Sequence, residues 1–553
     1  MVIVSASIFS LAYPLPTSLV TPGFSSYVLF RESLFWVSYL ISLLAIGVLW
    51  FRHGGNRIIA LFLTVTFSVM VIALWALKAP GGNALFSAPG YASAISYILQ
   101  SGHLTFLKFG DFKQAYPSMY LIASLLTSTT GLSLGSALAL LDIFNATLVG
   151  LFYFFIIGSF VSSPRLVAAA TMLSIVADEQ LVNTSPFNIR FYGLIFFLVM
   201  MVLLTSFPSN QGHFPTWPFL VVSMASVLAY PMIAFMIILM TVFSFARKSI
   251  AFPSRKLFAV LVVSYASWTV YVSQFIYTGL SVMNNIFFSL FGVPSAAPSG
   301  TPHGLVYQLS RLLLSSVSAL PYGLGYLIPA WFLAFFGVGA MTWIGLKLLR
   351  SKKAPFAFIM IPLFITGTVL FLLPGGAEWP RILVYIAPFI GASIFVALEH
   401  RGPLVTIIVV GTLLLTLPTV VAYYPLVGVY GAHYPSQYSA GNYVSSYARS
   451  GPIYIGSGIQ TLVDFSLYTR IVSGLSPAPL TPTQAQDSLM SGLSSFKSST
   501  TASLLTVDPL FFKAYSHYYG DESSIVAYQL VRNYTASLSQ VYSNGYTEIY
   551  WND

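Results

Sequence analysis

Apolar residues gather along the chain in long blocks that short polar or basic stretches separate. Many blocks approach the roughly 17–25 residues that a helix needs to cross a hydrocarbon core about 30 Å thick. Twelve blocks are therefore predicted to span a membrane: 33–51, 57–77, 133–160, 165–177, 190–207, 217–229, 230–246, 257–273, 322–347, 355–373, 382–398 and 404–424. Pro231 either separates two of these spans or kinks a single one. The pattern predicts a mainly α, polytopic helical membrane protein.

Basic residues concentrate in alternate loops between these spans, and Glu399 is the one acid among them. By the positive-inside rule, such loops face the cytoplasm. The residues of this set are Arg52, Arg57, Arg165, Arg247, Lys248, Arg255, Lys256, Lys347, Arg350, Lys352, Lys353 and Arg401. An even number of spans then leaves both termini outside an integral plasma membrane protein.

The pattern divides the chain into three parts. Residues 1–56 form an N-terminal extra segment with one span, and residues 57–425 form the transmembrane domain, with long external loops at 78–132 and 274–321. Residues 426–553 are richer in Ser, Tyr and Gly and form a soluble, extracytoplasmic tail. Strands are predicted there at 452–458, 502–512 and 546–551, with helices at 484–493 and 523–542. Alternating strands and helices indicate a small α/β domain.

Composition agrees with this organisation. The chain is 57% hydrophobic and 7% charged, with a mean hydropathy of +0.81, which excludes an ordinary cytosolic domain and a disordered chain. The net charge of +10 is explained by cytoplasmic loops, so no nucleic-acid partner is inferred. The absence of cysteine excludes thiolate catalysis, disulfides and Cys-ligated zinc.

Ionisable residues within or beside a membrane are candidates for function because burying them is costly. Asp142, one helical turn from Asn145, is either part of a proton or ion relay or an acid hydrogen-bonded between helices. Asp111 and the pair Asp178 and Glu179 come at the external rim. They could serve as general bases or metal ligands, or they could be solvated helix ends.

Arg381 begins a span on the external side, beside Glu378 and Trp379. A guanidinium there could bind a lipid phosphate with two hydrogen bonds, or it could be an interfacial anchor paired with Glu378. His103 and His303 are also external, but neither has a partner at metal-ligand spacing, so no metal site is predicted.

Several stretches, in their order along the chain, resemble the GT-C superfamily of integral membrane glycosyltransferases, especially archaeal members with a C-terminal extracytoplasmic domain. They are SAPGYASAISYILQSGHL (87–104), QAYPSMYLIASLLTSTTGLSLGSALALL (114–141), SPFNIRFYGLIFFLVMMVLL (185–204), VLAYPMIAFMIILMTVFSFARK (227–248), EWPRILVYIAPFIGA (378–392), YSAGNYVSSYARSGPIYIGSG (438–458) and QVYSNGYTEIYWND (540–553). The resemblance covers about 57–553.

The resemblance implies transfer of a sugar from a polyprenyl-phosphate donor to a surface glycan or protein at the outer face. For such a reaction we expect Asp111 to act in catalysis, with Asp178 and Glu179 as further candidates, and Arg381, Glu378 and His103 to bind substrate. The family's acid normally lies near Gly90, whereas this chain has no carboxylate between Lys78 and Gly110. Asp111 is therefore the nearest replacement.

Two alternatives to an active transferase stay open: a catalytically silent GT-C-like scaffold subunit of an envelope complex, and a transporter that uses Asp142. The expected partners are the lipid-linked sugar, membrane lipids and subunits of an envelope or membrane complex. No cofactor is required, although paired acids could accept a divalent cation.

Overall fold

The structure is a computed structural model of the 553-residue chain. It describes residues 33–73, 89–104, 116–176, 189–206, 216–230, 233, 237–238, 255–272, 379–398, 402–414, 416, 440–441, 443–444, 446–447, 453–456, 471–472, 493–494, 496, 503–507, 523–543 and 548–552.

The described part is mostly helical. Its helices before the tail are α1 (Ser33–His53), α2 (Arg57–Ile72), α3 (Pro89–Ser101), α4 (Ser118–Thr130), α5 (Leu134–Gly158), α6 (Pro164–Val176), α7 (Ile189–Ser206), α8 (Thr216–Ala229), α9 (Arg255–Ser267), α10 (Trp379–Ala397) and α11 (Gly402–Leu414). A short π-helix, Trp268–Val272, follows α9 directly.

Small residues allow the helices at the centre of the bundle to pack closely. The Ser68 hydroxyl on α2 donates a 2.6 Å hydrogen bond to the carbonyl oxygen of Ala146 on α5. One turn further along α5, a Cβ added at Gly150 would lie 2.7 Å from the Ser68 Cβ. Close approach through small residues and interhelical hydrogen bonds is typical of helices that associate in lipid.

The predicted spans that fall within the described residues are helical. Seven of them correspond closely to α1, α5, α6, α7, α8, α9 with the π-helix that follows it, and α10, while the described parts of α2 and α11 are shorter than predicted. Among the described residues, only α5 is both long and apolar enough to cross a membrane by itself. The predicted spans 322–347 and 355–373, nearly all of 230–246, and the loop 274–321 lie outside the described residues.

The segment 78–132, predicted as an external loop, contains helices α3 and α4. Both helices contribute side chains to the hydrophobic core, including Ile95 of α3 and Tyr120 of α4. This segment is therefore partly built into the bundle. Ser, Thr and Gly lower its hydropathy, although small residues such as Ala123 and Ser124 of α4 are buried in the bundle.

The tail contains a five-stranded mixed sheet, with strands β1 (Ile453–Gly456), β2 (Ile471–Val472), β3 (Ser503–Val507), β4 (Ser539–Ser543) and β5 (Glu548–Asn552) in the order β2-β1-β3-β5-β4. Strands β2, β1 and β3 are parallel, and β5 pairs antiparallel with both β3 and β4. The helix α12 (Ser523–Thr535) contributes Val531 to the core on one face of the sheet.

The three strands predicted in the tail correspond to β1, β3 and β5, but the predicted helix 523–542 is wrong beyond Thr535. The chain turns after α12 and forms β4, which pairs with β5. The register of this pairing shifts at a bulge between Gln540 and Tyr542. Pairing with β5 supplies backbone hydrogen bonds that the short Ser-rich segment would make poorly as a helix. Of the predicted helix 484–493, only Leu493 lies within the described residues, where it is helical.

Candidate functional site

Helices α6 and α10 are packed against each other in the core, although more than two hundred residues separate them in the chain. The Ser174 hydroxyl on α6 hydrogen-bonds the Ala170 carbonyl in its own helix at 2.7 Å and the Ala387 carbonyl on α10 at 3.1 Å. A Cβ added at Gly391 would lie 2.9 Å from the Ala170 carbonyl oxygen and would also collide with the Ser174 hydroxyl.

These contacts fix the relative direction of the two helices. Ser174 approaches Ala387, whereas Ala170, one turn earlier on α6, approaches Gly391, one turn later on α10. The helices are therefore antiparallel at this contact. The C-terminal end of α6, at Val176, and the N-terminal end of α10, at Trp379, lie at the same end of the bundle.

Several of the predicted site residues are in, or next in sequence to, these ends of α6 and α10. Arg381 is the third residue of α10, six residues before Ala387, which corresponds to about 9 Å along a helix. The backbone of Arg381 is described, but its side chain is not. Asp178 and Glu179 follow Val176 almost directly, and Glu378 immediately precedes α10; these three residues, like Asp111, lie outside the described residues.

Helix α7 adds a further basic position that the sequence did not single out for a site. The rings of Phe197 on α7 and Tyr385 on α10 meet edge to face, with centroids 5.2 Å apart. Arg190 is the second residue of α7. One feature of the sequence points to Arg190: it is a basic residue at the start of a predicted span, shortly after the acids Asp178 and Glu179.

His103 lies just beyond α3 and is exposed. Gly102, at φ 73°, ends the helix in a left-handed conformation, as is common for glycine. The Nδ1 atom of His103 then lies 2.8 Å from the Ser101 carbonyl oxygen, and its ring meets Tyr97 edge to face, with centroids 5.9 Å apart. This geometry gives His103 a local role at the end of α3, and its predicted part in substrate binding stays a prediction.

Asp142 and Asn145 occupy the buried side of α5, with relative exposures of 0% and 1%. Tyr192 on the neighbouring helix α7 is close enough to interact with both. This polar cluster lies between packed helices. Of the two interpretations of Asp142, the arrangement favours an acid that interacts within the bundle over one that faces an aqueous pathway.

The described residues contain no group of three or more His, Asp or Glu side chains placed to hold a metal ion. The predicted pair Asp178 and Glu179 was not part of that set, because it lies outside the described residues. The idea that this pair accepts a divalent cation stays a prediction.

Comparisons with known proteins found similarity to solved structures, while no protein-family model and no curated protein matches the chain. ArnT from Cupriavidus metallidurans bound to undecaprenyl phosphate is 12% identical, covers 88% of this chain and 98% of its own, and has a TM-score of 0.49. The Archaeoglobus fulgidus oligosaccharyltransferase, in complex with Zn and sulfate, is 15% identical, covers 89% of this chain and 72% of its own, and has a TM-score of 0.46. Apo ArnT from C. metallidurans has a TM-score of 0.39 at 13% identity, covering 88% of this chain and 97% of its own.

These structural neighbours are membrane glycosyltransferases of the GT-C superfamily, the class to which the sequence shows a resemblance. At TM-scores below 0.5 the similarity is too distant to define a site or a reaction.

Proposed function

We propose that this protein is a membrane glycosyltransferase that moves a sugar from a polyprenyl-phosphate donor to a surface glycan or protein acceptor. The observation that carries the proposal is the antiparallel contact of α6 with α10 through Ser174, Ala387 and Gly391. That contact supports a site at one end of the bundle, where a span bearing Arg381 begins and a span followed by two acids ends.

Arg381 would hold the phosphate of the lipid donor. A guanidinium can make two parallel, charge-assisted hydrogen bonds to phosphate oxygens, and it keeps its charge at any physiological pH. A position in the first turn of α10 suits a headgroup at the membrane rim, while the polyprenyl chain stays in the hydrocarbon. The lipid carries the activated sugar, so the chain needs no nucleotide-binding fold.

In the proposed reaction, an acceptor hydroxyl or amide attacks the anomeric carbon of the donor sugar. The new glycosidic bond forms as the bond between that carbon and the phosphate oxygen breaks, and polyprenyl phosphate leaves with the electron pair. A carboxylate takes the proton from the acceptor as general base. Arg381 stabilises the negative charge that accumulates on the leaving phosphate.

The α6–α10 contact supports Asp178 and Glu179 as the carboxylates that work with Arg381. Both follow the end of α6 that lies beside the start of α10. Asp111, the leading candidate from the sequence, belongs to the segment between α3 and α4 and stays a candidate for orienting the acceptor. In this proposal the α/β tail lies on the same, extracytoplasmic side.

Two other functions would give different results in the experiment that tests this proposal. A silent scaffold subunit of an envelope complex would share the fold and lack turnover. A transporter that uses Asp142 is less well supported, because Asp142 and Asn145 are buried between helices α5 and α7.

The test is transfer by the purified full-length chain in detergent or nanodiscs. Panels of labelled polyprenyl-phosphate sugars are incubated with membrane-derived acceptors, and release of polyprenyl phosphate is followed together with label in the acceptor. We expect Arg381→Ala to raise the KM for donor by about 10- to 100-fold, the loss that corresponds to a charged hydrogen bond. Arg381→Ala should also lower kcat, because it removes the charge that stabilises the leaving phosphate, whereas Asp178→Asn and Glu179→Gln should lower kcat without raising the KM for donor.

Arg532→Ala is the matched control, since Arg532 is exposed on α12 in the tail. It should keep full activity. Unchanged turnover in Arg381→Ala and in both acid variants would contradict the site. Absence of turnover in the unaltered chain with every donor, combined with stable co-purification of other membrane proteins, would favour the scaffold.

A further inference from the structure

A cluster of basic and aromatic residues lies at the other end of α6, where α1, α2 and α6 meet. The Trp50 indole N–H donates a 2.9 Å hydrogen bond to the Arg165 carbonyl oxygen, and Trp50 is only 1% exposed. The Arg165 guanidinium carbon lies 4.3 Å from the centroid of the Trp50 ring and 5.6 Å from that of Phe51. The guanidinium is thus held over a fixed aromatic surface by a cation–π contact.

The charge of this cluster is not neutralised within the part of the chain that the structure describes. The Arg165 Nε is buried, and no described acceptor lies within hydrogen-bond distance of it. Arg52 and His53 end α1, Arg57 begins α2, and all three are exposed. Neither 48–62 nor 159–170 contains an acid. Arg52, His53, Arg57 and Arg165 are named here the basic cluster. Their positive charges are available to an anion that is not part of the described chain.

The loop between α1 and α2 is shaped to keep the basic cluster together. A Cβ added at Gly54 would lie 2.5 Å from the Trp50 carbonyl oxygen and 3.2 Å from Arg165 Cγ, so only glycine lets the loop approach the arginine stem this closely. Asn56 caps α2, with its side-chain oxygen accepting from the backbone N–H groups of Ile58 and Ile59. Because the Asn56 side chain occupies these two backbone donors, an anion at this loop would be bound by the side chains of the basic cluster.

Exposed apolar side chains lead away from the basic cluster along two helices. Leu44, Val48 and Phe51 follow one side of α1 at helical spacing and are 42–55% exposed. Ile58 and Phe62, one turn apart on α2, are 78% and 59% exposed. An anion with apolar chains would satisfy both features, whereas a soluble phosphate would use the charges alone.

We infer that the basic cluster binds the headgroup of an anionic membrane phospholipid, whose acyl chains lie along the exposed sides of α1 and α2. Basic sites between helices on the cytoplasmic side commonly take such headgroups. By the positive-inside rule this leaflet is the cytoplasmic one. The site is separated from Arg381 by the length of α6, about 20 Å for 13 residues. It is independent of the proposed glycosyltransferase function.

The experiment measures lipid retention by the delipidated full-length chain with native mass spectrometry. Phosphatidylglycerol and phosphatidylcholine with identical acyl chains are added at equal concentrations, with and without an excess of glycerol phosphate. We expect the unaltered chain to retain phosphatidylglycerol preferentially, to lose the preference at high salt, and to resist competition by glycerol phosphate. Arg165→Gln should weaken the preference about fivefold.

The double variant Arg52→Gln with Arg57→Gln tests the same idea at exposed positions, where a folding defect is not expected, and should also weaken the preference. Arg532→Gln in the tail is the matched control and should change nothing. Equal retention of the two lipids by the unaltered chain, or a preference that survives in both the Arg165 variant and the double variant, would overturn the inference. Displacement of the lipid by glycerol phosphate would also overturn it, since the site would then recognise phosphate without the acyl chains.

Discussion

The Ser174 hydroxyl on α6 lies 3.1 Å from the carbonyl oxygen of Ala387 on α10 and hydrogen-bonds it across the interface of the two helices. Gly391 lies one turn further along α10, where an added Cβ would lie 2.9 Å from the Ala170 carbonyl oxygen of α6. This contact between small residues shows that α10 runs antiparallel to α6. It thereby identifies the end of the bundle at which Arg381 lies.

Gly391→Ala is expected to destabilise the bundle, because the new methyl would meet the Ala170 carbonyl oxygen at 2.9 Å and the Ser174 hydroxyl. Overpacking of this kind costs about 1–3 kcal/mol. Thermal unfolding in detergent measures the change. Gly411→Ala is the control, since Gly411 is a helical glycine on α11 with nothing within 4 Å of an added Cβ. If both variants unfold at the same temperature, the close approach of α6 and α10 is wrong.

The contact of α2 with α5 supplies a second test of helix packing. Ser68→Ala removes the hydrogen bond to Ala146 and is expected to cost about 0.6 kcal/mol, as is typical between membrane helices. Gly150→Ala should cost more, since its methyl would lie 2.7 Å from the Ser68 Cβ. The order of the two losses in denaturant titrations is the readout, and a larger loss for Ser68→Ala would contradict the packing.

Asp142→Asn is expected to leave sugar transfer unchanged within about twofold, because the amide has the same shape and Asp142 is buried away from the proposed site. Transfer assays on the variant beside the unaltered chain check this. Loss of ion or solute flux in proteoliposomes on the same substitution would instead support the transporter interpretation.

Tyr534 in the tail predicts a dependence of stability on alkaline pH. Burial raises the pKa of Tyr534, and its hydroxyl donates a 3.1 Å hydrogen bond to the Leu493 carbonyl oxygen. A pKa raised by folding adds stability that is complete below the unfolded value, about 10 for tyrosine, and is lost as the pH rises through the folded value. The tail should therefore unfold more easily above about pH 10. Limited proteolysis measures this unfolding.

Tyr534→Phe is the comparison for that experiment. Phenylalanine keeps the ring packed near Phe496 but has no hydroxyl to ionise. The variant should be somewhat less stable at neutral pH and should lose less stability between about pH 9 and pH 11 than the unaltered chain. The same alkaline loss in both proteins would mean that another group causes it.

The sequence predicted long apolar helices well and close contacts poorly. The blocks behind α1, α5 and α7 end within about two residues of the observed helices, because hydropathy and helix length decide them together. Helices α3 and α4 were assigned to a loop, since Ser, Thr and Gly lower their hydropathy while Ile95 and Tyr120 still reach the core. Strand β4 was predicted as helix because its pairing with β5 depends on tertiary contacts.

The candidate site could be predicted only in part for a similar reason. An arginine at the start of a span and a pair of acids at the end of another are visible in the sequence. Their proposed proximity rests on the contact of Ser174 and Ala170 with Gly391, small residues on two helices that are far apart in the chain and carry no periodic signal. Likewise, nothing in the sequence indicates that Arg165 stacks on Trp50.

The proposed site requires the end of α6 that precedes the two acids to lie beside the Arg381 end of α10. The chain has no native cysteine, so spin labels on Asp178→Cys and Arg381→Cys report one distance by pulsed electron paramagnetic resonance. A control pair, Arg165→Cys and Arg381→Cys, spans the length of α6. The proposed site predicts a mean distance below about 20 Å for the first pair and a clearly longer one for the control. A first-pair distance of about 30 Å or more, the thickness of the hydrocarbon core, would place the residues at opposite membrane faces and contradict it.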